Sequence, residues 1–222
     1  MEGPLSFEWN REHLALLPEK AVLLPEHDAL LLSDLHFGKT AHFRKNGLAL
    51  PAKSAAQDFS QLAALLNTYP AKHIYFLGDL FHSEENYEWE QLLQLLKSYP
   101  DRQFYLIPGN HDVIETPPST CPNLAFTKPR FKLGHLILCH DPQHARKGEA
   151  SVCGHVHPGF RLKGLGKQSI MLPAFYATSS LLLLPAFGAL TGLLCPALSP
   201  QSVVAIIGPS GVQWVPGRNI GA

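Results

Sequence analysis

The sequence predicts an α/β chain with two sheets, a first built from strand–helix units and a second, of short strands, packed against it. Two observations carry that expectation. Between residues 29 and 107, three apolar runs alternate with two helical patterns. Units of this kind give parallel strands with right-handed crossovers, and their carboxyl ends lie along one edge. From residue 136 onward the apolar runs are short and few helical patterns separate them. With 222 residues, 45% hydrophobic and 16% charged, there is apolar material for one substantial core, and a single domain over residues 1–222 is expected.

Each element has a local reason. Residues 14–17, 21–24 and 29–32 are short apolar runs set between Pro18, Pro25 and small charged turns, the pattern of strands. A helix is expected over residues 52–68, where Ala55, Phe59, Leu62, Leu65 and Leu66 share one face, and Pro70 stops it. Residues 74–77 read as a strand ending in Gly78-Asp79. After Ser83 a second helix carries Trp89, Leu92, Leu93 and Leu96 at helical spacing, with Glu84 and Glu85 near its positive end and Tyr99-Pro100 beyond it. Residues 104–107 form a third strand that runs into Pro108-Gly109-Asn110-His111-Asp112. Residues 116–122, with three prolines, read as a surface connection, and further strands are expected at 136–139, 151–153, 160–162, 170–176 and 203–207.

Composition narrows the function classes. A net charge of +0 provides no global attraction to nucleic acid or to an anionic membrane, so any such binding needs a local patch. The compositional excess is in histidine, of which there are 12. Cys121, Cys139, Cys153 and Cys195 form no Cys-x-x-Cys pair, and read as reduced, buried thiols and not as a structural zinc site. Residues 1–11 contain Glu2 and Glu8 and lack an apolar core, which is not a signal peptide, so a cytoplasmic location is expected. Residues 168–217 contain no Asp, Glu, Lys or Arg, but Pro173, Pro185, Pro196 and Pro200 cut the stretch into pieces shorter than the roughly 20 apolar residues of a spanning helix. Buried strands, with no membrane partner, are the expectation there.

The chemistry lies at the strand ends. Asp34-Leu35-His36 follows the apolar run 29–32, and two residues so spaced on an extended segment project the same way. Gly78-Asp79, Gly109-Asn110-His111-Asp112, His140 and Gly154-His155-Val156-His157 follow, each at or just after an expected strand end. Carboxylate, amide and imidazole donors without thiolates suit manganese, iron or zinc, and a carboxylate between two ions can bridge them. Two such ions about 4 Å apart would bind a phosphoryl oxygen, lower the pKa of a bridging water and stabilise an in-line displacement.

This ordered set resembles the calcineurin-like metallophosphoesterases, whose pattern is Asp-x-His, Gly-Asp, Gly-Asn-His-Asp/Glu, His and Gly-His-x-His; all parts are present between Asp34 and His157. The resemblance implies an α/β/β/α sandwich of two mixed sheets flanked by helices. It implies one divalent metal on Asp34, His36, Asp79 and His157 and a second on Asp79, Asn110, His140 and His155, with Asp79 bridging. Mn²⁺ is the first expectation and Fe or Zn the alternatives. His111 would be the uncoordinated histidine that neutralises the transition state or protonates the leaving oxygen. More specifically, Ser33 through Lys39, Ala41 through Lys45, Gly78-Asp79-Leu80-Phe81-His82-Ser83, His157-Pro158-Gly159-Phe160-Arg161 and Leu184 through Gly192 resemble the bacterial ligase-associated DNA-damage-response phosphoesterases. His82 also matches related double-strand-break nucleases, in which it would face the substrate.

Lys39, His42, Arg44 and Lys45 form a basic cluster just after two ligands, suited to steering a phosphodiester, and Arg146, Lys147 and Arg161 are candidates to extend it. The expected activity is hydrolysis of phosphodiester bonds through a metal-bridged hydroxide, with DNA endonuclease action in repair as the leading form. Nucleotides or other small phosphoesters are the alternative substrates, and a non-catalytic scaffold of the same fold is the alternative outside enzymology. The subfamily resemblance implies DNA ligase, helicase and nuclease partners.

Overall fold

A computed structural model describes residues 3–39, 53–81, 87–114, 116–164, 166, 168–197 and 201–216. The first sheet runs in order β1 (Leu5–Trp9), β2 (Glu12–Leu16), β3 (Val22–Leu24), β4 (Ala29–Leu32), β5 (His73–Leu77), β6 (Gln103–Ile107) and β7 (Leu124–Phe126). Strands β1 to β4 pair antiparallel, and β4 to β7 pair parallel. Crossovers that carry α1 (Lys53–Thr68) and α2 (Tyr87–Lys97) make β4 and β5, and β5 and β6, parallel.

The second sheet contains β8 (Arg130–Leu133), β9 (Leu136–Cys139), β10 (Ala150–Cys153), β11 (Gly159–Lys163), β12 (Ser169–Ala177), β13 (Leu181–Leu183), β14 (Val203–Gly208) and β15 (Gly211–Trp214). Its order is β15-β14-β12-β13-β10-β9-β8, with β11 paired to β12. Here β10 is parallel to both β9 and β13, and the other pairings are antiparallel. The two mixed sheets form the expected sandwich. The long stretch without charged residues folds as β12 to β15, and among the described residues no helix is long and apolar enough to cross a membrane.

Alternation along the strands explains the two main cores. Leu30, Leu32, Ile74, Phe76 and Phe104 face α1 and α2, packing on Leu62, Leu65, Trp89, Leu92 and Leu96. Their neighbours Ala29, Leu31, Tyr75, Leu77 and Ile107 face the second sheet and meet Leu136, Leu138, Val152, Phe175 and Leu182. Strand β4 is buried on both sides, which is why it reads as an unbroken apolar run. The two α-helices among the described residues thus cover the first sheet. The outer face of the second carries a smaller cluster around Cys139, Cys153, Tyr176 and Val204.

One expectation about the thiols needs correcting. Cys121, Cys139 and Cys153 are buried, but Cys195 is exposed, because it follows Leu194 on a surface segment bridged to Pro158; its sulfur lies 3.4 Å from that of Met171. Cys139 and Cys153 lie opposite each other on β9 and β10 with their sulfurs 3.1 Å apart.

Candidate metal centre and active site

Five strand ends deliver polar side chains to one edge of the sandwich. Parallel pairing of β4, β5 and β6 brings Ser33-Asp34, Gly78-Asp79 and Gly109-Asn110 out side by side. Parallel pairing of β9 and β10 brings His140 and Gly154-His155 toward them from the second sheet. Beyond the strands the backbones stay tied: Asp34 N–H donates to Gly78 O (3.2 Å) and His36 N–H to Asp79 O (2.9 Å). The chain also turns sharply, since Asp34, His36, Asp79, His155 and His157 all have positive φ, at 54°, 52°, 49°, 67° and 49°. Such angles cost an L-residue on the order of 1 kcal/mol and persist where surrounding structure enforces them. Two glycines make the convergence possible. Gly78 has φ 73° and a Cβ there would strike the His140 ring, while a Cβ on Gly154 would overlap the Ser33 hydroxyl.

Two donor groups result. In the first, His157 Nε2 lies 3.1 Å from Asp34 Oδ1 and 3.4 Å from His36 Nε2. In the second, His140 Nε2 lies 3.4 Å from Asp79 Oδ1 and 3.0 Å from His155 Nδ1. Within each group one donor atom per residue lies within 4.8 Å of the others. Asp79 also faces the first group, its Oδ2 3.8 Å from His36 Nε2, so its two oxygens address the two groups.

The donors are prepared for a cation. His140 Nδ1 lies 2.9 Å from Leu77 O, so that nitrogen carries the proton and donates it to the carbonyl, leaving the Nε2 lone pair aimed at Asp79 and His155. Asp34 is fully buried. Its Oδ2 accepts from the Ser33 hydroxyl (2.5 Å) and from His155 N–H (2.9 Å), but its Oδ1 accepts no hydrogen bond. A buried carboxylate oxygen left without a donor, facing imidazole nitrogens, fits a divalent ion. Burial alone raises the Asp34 carboxyl, but His157, His140 and Ser33 together hold it below the usual carboxylate range.

His111 stands beside Asp79. Its N–H donates to Asp79 Oδ1 (2.9 Å), its Nε2 lies 4.0 Å from Asp79 Oδ2, and its side chain is 49% exposed. Asn110, between Gly109 and His111, is exposed at the rim. Lys39 lines a small groove with His36, Asp58, Glu88 and Thr191. Burial lowers its ammonium pKa against the opposing pull of Asp79 and Asp34. His42, Arg44, Lys45 and His82 lie outside the described residues. Arg146 and Lys147 do not extend the Lys39 patch. They precede β10 within a turn closed by Glu149 N–H on Arg146 O, at the strand end remote from the ligands.

Several supporting residues escape a reading of motifs. Asp112 accepts backbone N–H groups of Asp79 (2.8 Å), Leu80 (2.9 Å), Phe81 (3.2 Å) and Gly109 (2.8 Å), joining two ligand loops. Burial pushes its carboxyl up, although those donors favour the ionised form. Glu88 accepts Gly38 N–H at 2.6 Å. The segment after β13 forms a strap: Leu184 N–H donates to Cys153 O, Phe187 N–H to Ser33 O and Gly188 N–H to Asp34 O. Asp58 accepts Ala189 N–H (3.0 Å) and Lys20 Nζ donates to Phe187 O (3.1 Å), fixing that strap to α1 and to the β2–β3 turn.

Two imidazole–carboxylate groups with Asp79 facing both, at the joined strand ends of a two-sheet sandwich, are the site of a metal-dependent phosphoester hydrolase. The family described as calcineurin-like phosphoesterase matches residues 28–157, and the chain belongs to it. Among solved structures, the chain is similar to the nuclease MPE of Pseudomonas putida, with 26% identity and a TM-score of 0.82 over 96% of this chain and 100% of that one. Weaker likenesses are to AQ665, a protein of unknown function from Aquifex aeolicus (18% identity, TM-score 0.43, 63% of this chain and 82% of that one), and to Yfce, a phosphoesterase from E. coli (15%, 0.39, 82% and 88%). No curated protein sequence matches the chain significantly.

Proposed function

We propose that this chain is a dinuclear phosphodiesterase that cleaves nucleic-acid backbones, acting as a DNA endonuclease in repair. The observation that carries the dinuclear reading is the placement of Asp79, with one oxygen toward His140 and the other toward His36. Asp34, His36, Asp79 and His157 would hold one ion, and Asp79, Asn110, His140 and His155 the other; Mn²⁺ suits this donor set best, with Fe or Zn as alternatives. When bound, two divalent ions supply Lewis-acid polarisation of the phosphoryl group and lower the pKa of the attacking water.

The chain's own residues do the rest. His111, solvent-facing and tethered to Asp79 through its backbone, is placed to neutralise charge on the phosphoryl oxygens or to give a proton to the leaving oxygen. Lys39, in the groove beside His36, orients the substrate phosphate, with His42, Arg44, Lys45 and His82 as further substrate contacts. Likeness to the Pseudomonas putida nuclease over nearly the whole chain supports a nucleic-acid substrate. Ligase, helicase and nuclease partners follow from the subfamily resemblance.

The test is one manganese-dependent assay on single-stranded DNA, duplex DNA, a cyclic dinucleotide and a bis-aryl phosphate at one salt concentration. Cleavage of DNA and of the aryl ester, both lost in Asp79→Asn and His111→Ala, is the expected result. Turnover of the aryl ester without DNA cleavage overturns the nuclease reading, and undiminished turnover in both variants overturns the site assignment.

A further inference from the structure

At the end of the sandwich remote from the ligands there is a second cleft, of about 430 Å³, lined by the β1–β2 turn, the β8–β9 hairpin and the start of β10. Its polar lining includes Arg11, Lys132 and His135. Arg146 and Lys147, in the turn that leads into β10, are exposed immediately beside it. Arg11, Lys132 and His135 are exposed too, and among the described residues the side chains of the two arginines and two lysines make no ion pair or hydrogen bond. Glu149, an acidic side chain on the cleft wall, is already engaged by Arg130 of β8. In a chain of net charge +0, this leaves a concave surface with an unneutralised positive charge.

We infer that this cleft is a second phosphate-binding site, which holds the sugar–phosphate backbone of a nucleic acid whose scissile bond lies at the metal centre. The inference rests on the nuclease reading above. Arginine offers a planar fork matched to phosphate, and lysine a mobile point charge, and together they grip a backbone without reading its bases. The geometry suits a chain-like ligand. Strand β9 starts at the cleft and ends at Cys139, next to His140, a span of about 13 Å for four residues. At about 3.4 Å per nucleotide along a strand, on the order of four nucleotides separate the two sites. A small phosphoester bound at the metals cannot touch both.

The test uses the full chain carrying Arg11→Glu and Lys132→Glu together, with Arg11→Lys and Lys132→Arg as the charge-conserving control. Binding of a labelled single-stranded oligonucleotide is followed by anisotropy across a salt series, and manganese-dependent hydrolysis of a bis-aryl phosphate is followed in parallel. Charge reversal should weaken oligonucleotide binding by about tenfold or more and flatten the log–log salt slope by about 1.4, at roughly 0.7 per lost phosphate contact. The control should bind as the parent does, and aryl ester turnover should be equal in all three proteins. Unchanged oligonucleotide affinity and slope in the reversed variant overturn the inference, and a cleft that takes only free phosphate or an acidic peptide would give that result. Failure of the parent to hydrolyse the aryl ester would count against the functional reading instead, and the binding series decides the cleft independently of it.

Discussion

Asp112 holds Asp79 by its backbone: the Asp112 carboxylate accepts the Asp79 N–H at 2.8 Å, and takes the N–H groups of Leu80, Phe81 and Gly109 as well. The carboxylate that faces both donor groups is therefore fixed from behind by another carboxylate.

Asp112→Asn tests that arrangement. An asparagine keeps one acceptor oxygen and turns an amide N–H₂ against backbone donors, leaving buried N–H groups unpaired at a cost of about 3 kcal/mol. Chemical denaturation should show that loss, and metal affinity should fall about 10- to 100-fold, as expected for a partner that orients a ligand. Parent-like stability would show that the four contacts are dispensable.

Gly78→Ala should damage the second donor group selectively. The left-handed backbone there costs an alanine about 1–2 kcal/mol, and its methyl displaces the His140 ring. The urea midpoint should drop and metal content by elemental analysis should fall from two ions toward one. Two retained ions would contradict the placement of His140.

Glu88→Ala removes the acceptor that ties α2 to Gly38, two residues beyond His36. Turnover of every substrate should fall about tenfold with metal content unchanged, because the groove holding Lys39 loses its anchor while the ligands keep theirs. Loss of metal along with activity would move Glu88 into the metal-holding framework.

His13 and Glu26, 2.5 Å apart on the surface, predict a pH window remote from the site. Glu26 raises the His13 pKa above 6.5, so its share of stability is present below that value and is lost as pH rises through the folded value. His13 lowers the Glu26 pKa below 4.5, so that share is present above 4.5 and is lost as pH falls through the folded value. The Tm deficit of His13→Ala should be greatest near about pH 5.5 and absent at about pH 9, a contrast that thermal melts would settle.

The parts that were legible in the sequence share a cause. Strands buried on both faces, such as β4 and β5, are continuous apolar runs, and the ligand-type residues stand where those runs stop. Strands β8 and β15 were missed because they are edge strands whose half-exposed residues, as in Arg130-Phe131-Lys132-Leu133, mix charge with apolar character. Within the site, Asp112 stands at the end of Gly109-Asn110-His111-Asp112, but its role is not legible there, since three of its four partners lie 31 to 33 residues away. Asp58 and Lys20 gave no signal at all, because their contacts to the 184–191 strap span 131 and 167 residues and exist only after the sheets close.

Asp34, His36, Asp79, His155 and His157 occupy backbone angles that glycine adopts freely. At about 1 kcal/mol each, their combined strain is comparable to the whole net stability of a marginal domain, about 5 kcal/mol. This protein would relax by giving up its ligands. A gene copy released from its enzymatic duty could gain stability through glycine or asparagine at these positions with its core intact, so these strained residues are where activity and stability are traded against each other.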